Sequence, residues 1–319
     1  MKKSEIDRIR DLLRIHPNLY SKTDLLFDAS SKNYTWRLKS IELKDKLCFG
    51  FDEITASPVV VDPVNQPGAL YVGGMGSGKS ISARFTIITR LLSNSEHDVF
   101  ILIDPLKGML DYGCISGLTD NVAMGVGSTS KMIKAIEMIH DEMARRKCEF
   151  YKVNAKNIYE YESIIRRKDP EYKLARIFLC MEEFHSVPVS LNVAKDADIA
   201  GTVSYALKDI SLAGSAYGIN LIAMAQRCTP SDFPSCLGPG VTQPMVFRVN
   251  NPGDAAAVNL PQSFGIGINE RGRCSYAGGI MQFPFLSEEV IKELINKHYR
   301  PLDAELLVHG VDEYRLRLG

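Results

Sequence analysis

The sequence predicts an α/β fold in which a mostly parallel central sheet is covered by helices on both faces. Three observations carry that expectation. The runs Val99-Phe100-Ile101-Leu102-Ile103 and Ile177-Phe178-Leu179-Cys180-Met181 are apolar throughout, as strands buried on both faces require. Such runs alternate with segments of helical periodicity, and strands alternating with helices imply parallel crossovers. Gly73, Asp104, Glu182 and Gln226 each follow a strand end, where ligands sit in sheets of this kind.

The elements are read in chain order. Residues 1–46 form a small helical arm in this reading. Ile6, Ile9, Leu12, Leu13 and the run Leu25-Leu26-Phe27 suggest one or two short amphipathic helices, and 33–46 is polar and mixed. Strand–helix alternation begins at Leu47. Val59-Val60-Val61 is a short β-branched run. Ala69-Leu70-Tyr71-Val72 is a strand entering a glycine loop, and 81–92 is a helix that begins near the lysine of that loop. Asp104-Pro105 ends the next strand. Met132, Ile133, Ile136, Ile139 and Met143 recur at helical spacing, so 130–150 is a long amphipathic helix. After the strand 177–181, residues 188–200 read as a loop and 203–213 as a helix. Residues 219–225, 244–249 and 273–276 read as strands. Ser287-Glu288-Glu289 opens a helix over 287–297. The chain is expected to divide into an arm (1–46), an α/β domain (47–297) and a tail (298–319).

Composition bounds the function. The 319 residues are 45% hydrophobic and 24% charged, as in an ordinary globular protein. Lysine plus arginine and aspartate plus glutamate number 38 each, so the formal charge is zero. A protein that coats nucleic acid carries a basic excess. Contact with nucleic acid is therefore expected to be local, at a loop or a pore lining. Seven cysteines at wide spacing, with no CxxC pair, argue against a disulfide framework and against zinc, and favour reduced thiols in the cytoplasm. The polar N-terminus has no apolar signal region, and no apolar run reaches bilayer length. No direct membrane insertion is expected.

Gly73-Gly74-Met75-Gly76-Ser77-Gly78-Lys79-Ser80 has the pattern GxxxxGK[ST] between a strand and a helix. Glycines let the backbone wrap a phosphate and turn its N–H groups inward, and the helix N-terminus adds partial positive charge. Lys79 is expected to reach the β- and γ-phosphates, and the Ser80 hydroxyl to hold magnesium. The bland alternative is a glycine-rich turn that happens to contain Lys-Ser. The ligand expected is ATP with magnesium.

Glu182-Glu183 follows an apolar strand, the form of a second nucleotide motif. Glu182 is expected to hold the magnesium shell with Ser80, and Glu183 to activate the attacking water. The alternative is a solvated pair at a strand end. Gln226 has two readings: contact with the γ-phosphate or water, or an ordinary polar residue after a strand. Asp104-Pro105 either shapes the site or only ends its strand. His185, near the acids, reads as a structural hydrogen-bond partner. Arg145-Arg146-Lys147 and Arg166-Arg167-Lys168 read as solvated helix faces, with DNA phosphate as the weaker reading.

These residues together resemble the motor domain of the FtsK/SpoIIIE branch of the FtsK–HerA ATPases, over about 47–297. Four segments carry the resemblance. One is Phe49-Gly50-Phe51-Asp52 through the loop to Ser80. Another is Phe100-Ile101-Leu102-Ile103-Asp104-Pro105. A third is Glu142-Met143-Ala144-Arg145-Arg146 followed by Tyr151. The last runs from Phe178 to Phe184, through Gly218 to Gln226-Arg227, and on to Phe247-Arg248-Val249. The resemblance implies a RecA-like P-loop fold and an ATPase acting as a homo-hexameric ring with DNA in its pore. It also implies attachment, through protein partners, to membrane-associated transfer or secretion machinery.

Three departures qualify it. Glu182 stands where the family has Asp. Ser215 stands where the family often has an arginine that reaches the neighbouring subunit's nucleotide, so either hydrolysis is slow or another arginine, such as Arg248, Arg271 or Arg273, takes that role. No stretch matches the family's membrane anchor or its DNA-reading winged-helix module. A compact motor of a conjugation, packaging or secretion system is therefore expected, rather than a chromosome translocase. The competing readings are a nucleotide-binding adaptor with weak hydrolysis and a secretion ATPase acting on protein.

Overall fold

The computed structural model describes residues 23–28, 33–38 and 45–299, the last span without 56, 67, 94–96, 105–109, 116–121, 125–128, 185–196, 228–242, 252, 254–259, 261–265 and 268–269. Its strands are β1 (Thr23–Asp28), β2 (Asn33–Leu38), β3 (Leu47–Asp52), β4 (Pro58–Val61), β5 (Gly68–Val72), β6 (Asp98–Ile103), β7 (Val122–Met124), β8 (Arg176–Met181), β9 (Ile219–Ala225), β10 (Gln243–Phe247), β11 (Arg273–Tyr276) and β12 (Gly279–Gln282). Its α-helices are α1 (Lys79–Ser93), α2 (Thr129–Lys152), α3 (Ile158–Ile165), α4 (Ala197–Ala213) and α5 (Glu288–His298).

Ten strands form one sheet in the order β4-β3-β12-β11-β10-β5-β9-β8-β6-β7. From β10 to β7 every pairing is parallel. From β10 back to β4 every pairing is antiparallel. The parallel part is the predicted one. Successive strand residues point to opposite faces, and here both faces are buried. Ile177, Leu179 and Met181 pack with Ile136, Ile139 and Met143 of α2 and Val203, Leu207 and Ile210 of α4. Phe178 and Cys180 pack on the other side with Phe85, Ile88 and Leu91 of α1 and Ile291 of α5. That double burial is why these strands read as unbroken apolar runs.

The antiparallel extension was only partly expected. β11 was read as a strand. β3 lies in a segment that carries the family resemblance, and nothing in the sequence marks β12. β12 has four residues and begins at a two-glycine turn, so it carries little periodicity. β1 and β2 pair antiparallel, with Leu25 opposite Trp36, Leu26 opposite Thr35 and Phe27 opposite Tyr34. The run Leu25-Leu26-Phe27, read as helical, is therefore a strand. Three consecutive apolar residues have no period of their own, and the aromatic and β-branched sequence Tyr34-Thr35-Trp36 supplies a β partner. The expected helix around Ile6–Leu13 and the tail beyond residue 299 lie outside the described residues.

Helix limits follow local chemistry. Ser287 caps α5 by accepting from Val290 N, and Asn157 caps α3 by accepting from Glu160 N. α4 starts at Ala197, so 197–200 are helical rather than loop. The basic run on α2 is also corrected. Arg146 is buried, donating to Glu142 (2.7 Å) and to the carbonyls of Ala175 and Tyr217 (2.8 Å each). It clamps the start of β8 to the turn before β9. Arg145 pairs with Glu142 and Glu149, and Lys147 with Asp209. Arg166, Arg167 and Lys168 are exposed, as expected, but in the turn that follows α3 rather than on a helix face. No helix of the described residues is long and apolar enough to cross a membrane.

Candidate active site

β5 and β9 run parallel, so Gly73 and Gln226 emerge at the same sheet edge. β8 runs parallel to β9 and delivers Glu182 and Glu183 to that edge as well. The loop leaving β5 is pinned at both ends. Gly73 N donates to Ala225 O (3.1 Å), and Gly74 N to Arg248 O (3.0 Å). Farther along, Gly272 N donates to Ser77 O (2.9 Å). Gly76 and Gly78 adopt left-handed backbone, with φ of 73° and 93°. Met75 at the tip is exposed, whereas Ser77 and Lys79 are buried. α1 then starts at Lys79, so its first N–H groups face the loop.

The predicted residues converge in two pairs. The Ser80 hydroxyl donates to Glu182 Oε2 at 3.3 Å. Lys79 Nζ lies 3.6 Å from Glu183 Oε1. Both acids are only 2% exposed, so the pair is not the solvated strand end of the alternative reading. Gln226 Nε2 donates to Glu183 Oε1 at 2.9 Å. That bond places Gln226 beside the acid pair, a contact that neither of its two readings named. Glu183 has a φ of 48°, left-handed for a residue with a side chain, and its neighbour Phe184 donates from N to Met224 O at 2.7 Å. Backbone held off its preferred region clusters at functional sites. Asp104 is buried at the end of β6. Pro105 and His185 lie outside the described residues.

The three arginines differ. Arg248 donates through Nη2 to Met75 O at 2.9 Å, on this chain's own loop. Arg273 is 4% exposed and pairs with Glu53 and Glu270. Arg271 is exposed beside the loop. Ser215 is buried in the turn that precedes β9, at the sheet edge opposite Gln226.

One residue at the site escaped the sequence reading. Tyr112 sits in a short 3-10 helix (Leu110–Ile115), and its hydroxyl donates to Glu182 Oε1 at 2.9 Å. No spacing in the sequence pairs it with residue 182.

Ser80 and Glu182 offer hard oxygen donors to one point, which fits a magnesium ion accompanying a nucleotide. Among the described residues no cluster of three or more His, Cys, Asp or Glu forms a separate metal site, and none of the five described cysteines is in a disulfide.

Comparison with known proteins gives the family and the fold. The FtsK/SpoIIIE family model matches residues 32–235. The DNA translocase FtsK of Staphylococcus aureus (strain Mu50) is 26% identical over 261 residues, which are 76% of this chain and 31% of the relative. The DNA translocase SpoIIIE of Bacillus subtilis (strain 168) is 25% identical over 67% of this chain and 27% of its own. The chain thus spans about a third of the length of the curated relatives it matches. Among solved structures, the pCW3 conjugation coupling protein TcpA, in its monomer form with ATPγS, superposes with a TM-score of 0.64 at 17% identity, covering 95% of this chain and 86% of that one. The cytoplasmic domain of the Thermomonospora curvata type VII secretion ATPase EccC gives 0.64 at 17% identity, over 92% of this chain and 35% of the other.

Proposed function

This chain belongs to the FtsK/SpoIIIE family, and on that premise we propose that it is an ATP-hydrolysing motor domain that moves DNA. The observation that carries the proposal is the convergence of Lys79 and Ser80 with Glu182 and Glu183, brought from a separate strand. A phosphate loop alone binds nucleotide. A loop whose lysine and serine face two buried acids also has the groups for hydrolysis.

Each residue has a role in this reading. The backbone N–H groups of 73–80 and the start of α1 cradle the phosphates. Lys79 neutralises charge on the β- and γ-phosphates. Ser80 and Glu182 would hold magnesium, which would supply charge neutralisation of the phosphate oxygens. Glu183 accepts the proton of the attacking water, and Gln226 fixes the Glu183 carboxylate by its hydrogen bond. Arg248 steadies the loop through Met75 O.

DNA as the substrate, a homo-hexameric ring and peripheral attachment to a transfer or secretion complex belong to the same proposal. Support comes from the family and from the translocase relatives. A second reading, a nucleotide-binding subunit with weak turnover, is favoured by one specific observation. Ser215 stands where the family often has an arginine, Arg273 is tied to Glu53 and Glu270, and Arg248 donates to its own loop, so of the three substitutes only the exposed Arg271 is left to act in trans. A trans arginine contributes about 10³–10⁵ to turnover in other P-loop enzymes.

The deciding experiment is ATP turnover with no DNA, single-stranded DNA and double-stranded DNA, alongside solution mass with ATP bound. Turnover stimulated by DNA and abolished by Lys79→Ala is expected. An assembled ring whose turnover ignores DNA would sink the translocase reading. Tight binding with negligible turnover, unaltered by Glu183→Gln, would favour the adaptor.

A further inference from the structure

We propose that Tyr112 is a positioning residue for the divalent cation that accompanies the nucleotide, acting through Glu182. The inference rests on the nucleotide-site reading above and adds a residue to it. Glu182 is held from three directions. Its backbone N donates to Ile103 O at 2.8 Å, fixing the strand end. Its Oε1 accepts from the Tyr112 hydroxyl at 2.9 Å. Its Oε2 accepts from Ser80 at 3.3 Å. One carboxylate oxygen is therefore tied back into the protein, and the other is aimed at the serine expected to hold magnesium.

Chain length makes the tie necessary. Glutamate has one more rotatable bond than aspartate, and each staggered well it can occupy is a different location for the carboxylate. Holding an ion demands that one of those wells be selected before the ion arrives. Tyr112 can select it because it is itself fixed. Its ring is 1% exposed, packed in the apolar core that α1 and α5 share with the sheet. Met224 lies beside it there, with Sδ 3.6 Å from the hydroxyl. A phenol donates one hydrogen bond from the end of a rigid ring, so it fixes the acid without offering a second charge. The tyrosine thus suits a glutamate at 182, where a shorter acid on the same backbone would fall short of spanning from Tyr112 to Ser80.

Tyr112→Phe keeps the ring and removes only the hydroxyl. The test is a manganese titration followed by electron paramagnetic resonance, on the full chain with ATPγS, together with ATPγS binding in EDTA. Tyr112→Phe is expected to weaken manganese binding by about ten- to a hundredfold, the scale for losing the partner of a metal ligand, and to leave metal-free ATPγS binding unchanged. In the Glu182→Asp background the same tyrosine change is expected to have no further effect. Equal manganese affinity in Tyr112→Phe and the parent overturns the proposal, as does an equal loss of metal-free nucleotide binding, which marks a merely structural role. A parent chain that binds no ATPγS overturns the nucleotide-site reading itself and this proposal with it, a result distinct from unchanged affinity in the variant.

Discussion

Lys79 Nζ lies 3.6 Å from Glu183 Oε1, with both side chains buried. The same oxygen accepts from Gln226. The lysine that would meet a phosphate and the acid that would meet the water are thus engaged with each other. On the proposed reading, a phosphate entering the loop would compete with Glu183 for Lys79.

Glu183→Gln is therefore expected to raise nucleotide affinity while it lowers turnover. Removing the competing charge should tighten ATPγS binding by up to about tenfold, or about 1.4 kcal/mol. Loss of the base should slow hydrolysis by about 10²–10⁴. Titration with a fluorescent nucleotide and a steady-state assay measure the two. Weaker binding in the variant would count against competition for Lys79.

The two left-handed glycines of the loop should differ under substitution. A Cβ on Gly78 would stand 2.5 Å from Gly272 N, whereas one on Gly76 meets nothing within 4 Å. Gly76→Ala carries only the backbone penalty of about 1–2 kcal/mol. Gly78→Ala adds a clash with main chain that cannot turn aside, so it should lower the thermal midpoint further and abolish nucleotide binding. Equal melting of the two variants would disprove this packing.

Glu162 is 2% exposed and accepts from Arg176 at 2.7 and 3.2 Å and from Leu174 N at 2.9 Å. Glu162→Gln leaves a buried guanidinium without its counter-charge. A loss of about 3–5 kcal/mol in urea unfolding is expected, the range for breaking one side of a buried pair. A loss below about 1 kcal/mol, the range of surface pairs, would mean water reaches Arg176.

Acid should weaken the long helix through Glu142. Burial alone would raise its carboxyl, but hydrogen bonds and charge from Arg145 and Arg146 outweigh burial and hold it below its ordinary value of 4.5. A carboxyl depressed in the folded state contributes stability that is fully present above its unfolded value and is lost as pH falls through its folded one. The stability gap between the parent and Glu142→Gln should therefore be widest near neutrality and close below about pH 4. A gap that stays constant with pH would assign the effect to packing.

What was legible in the sequence is what burial on two faces writes into it. Val99–Ile103 and the run 177–181 announce themselves because no residue in them may be polar. The site was legible because the loop pattern, the acid pair and Gln226 each follow such a run. β12 and Tyr112 lacked that signal. β12 is a four-residue strand after a turn. Tyr112 meets Glu182 across 70 positions of sequence from a segment with no period. Arg146 misled for the opposite reason: adjacent basic residues look alike in a sequence, but helical geometry turns one of three consecutive side chains inward.

The bond from Gly272 N to Ser77 O has a bearing on when this protein comes of age. A ribosome delivers the phosphate loop early and its brace late, after β6, β8, β9 and β10 have emerged. A nascent chain that has yet to reach residue 272 carries the full motif without the contact that shapes it. On the proposed reading, a loop that needs this brace would capture its ligand only once residue 272 has emerged.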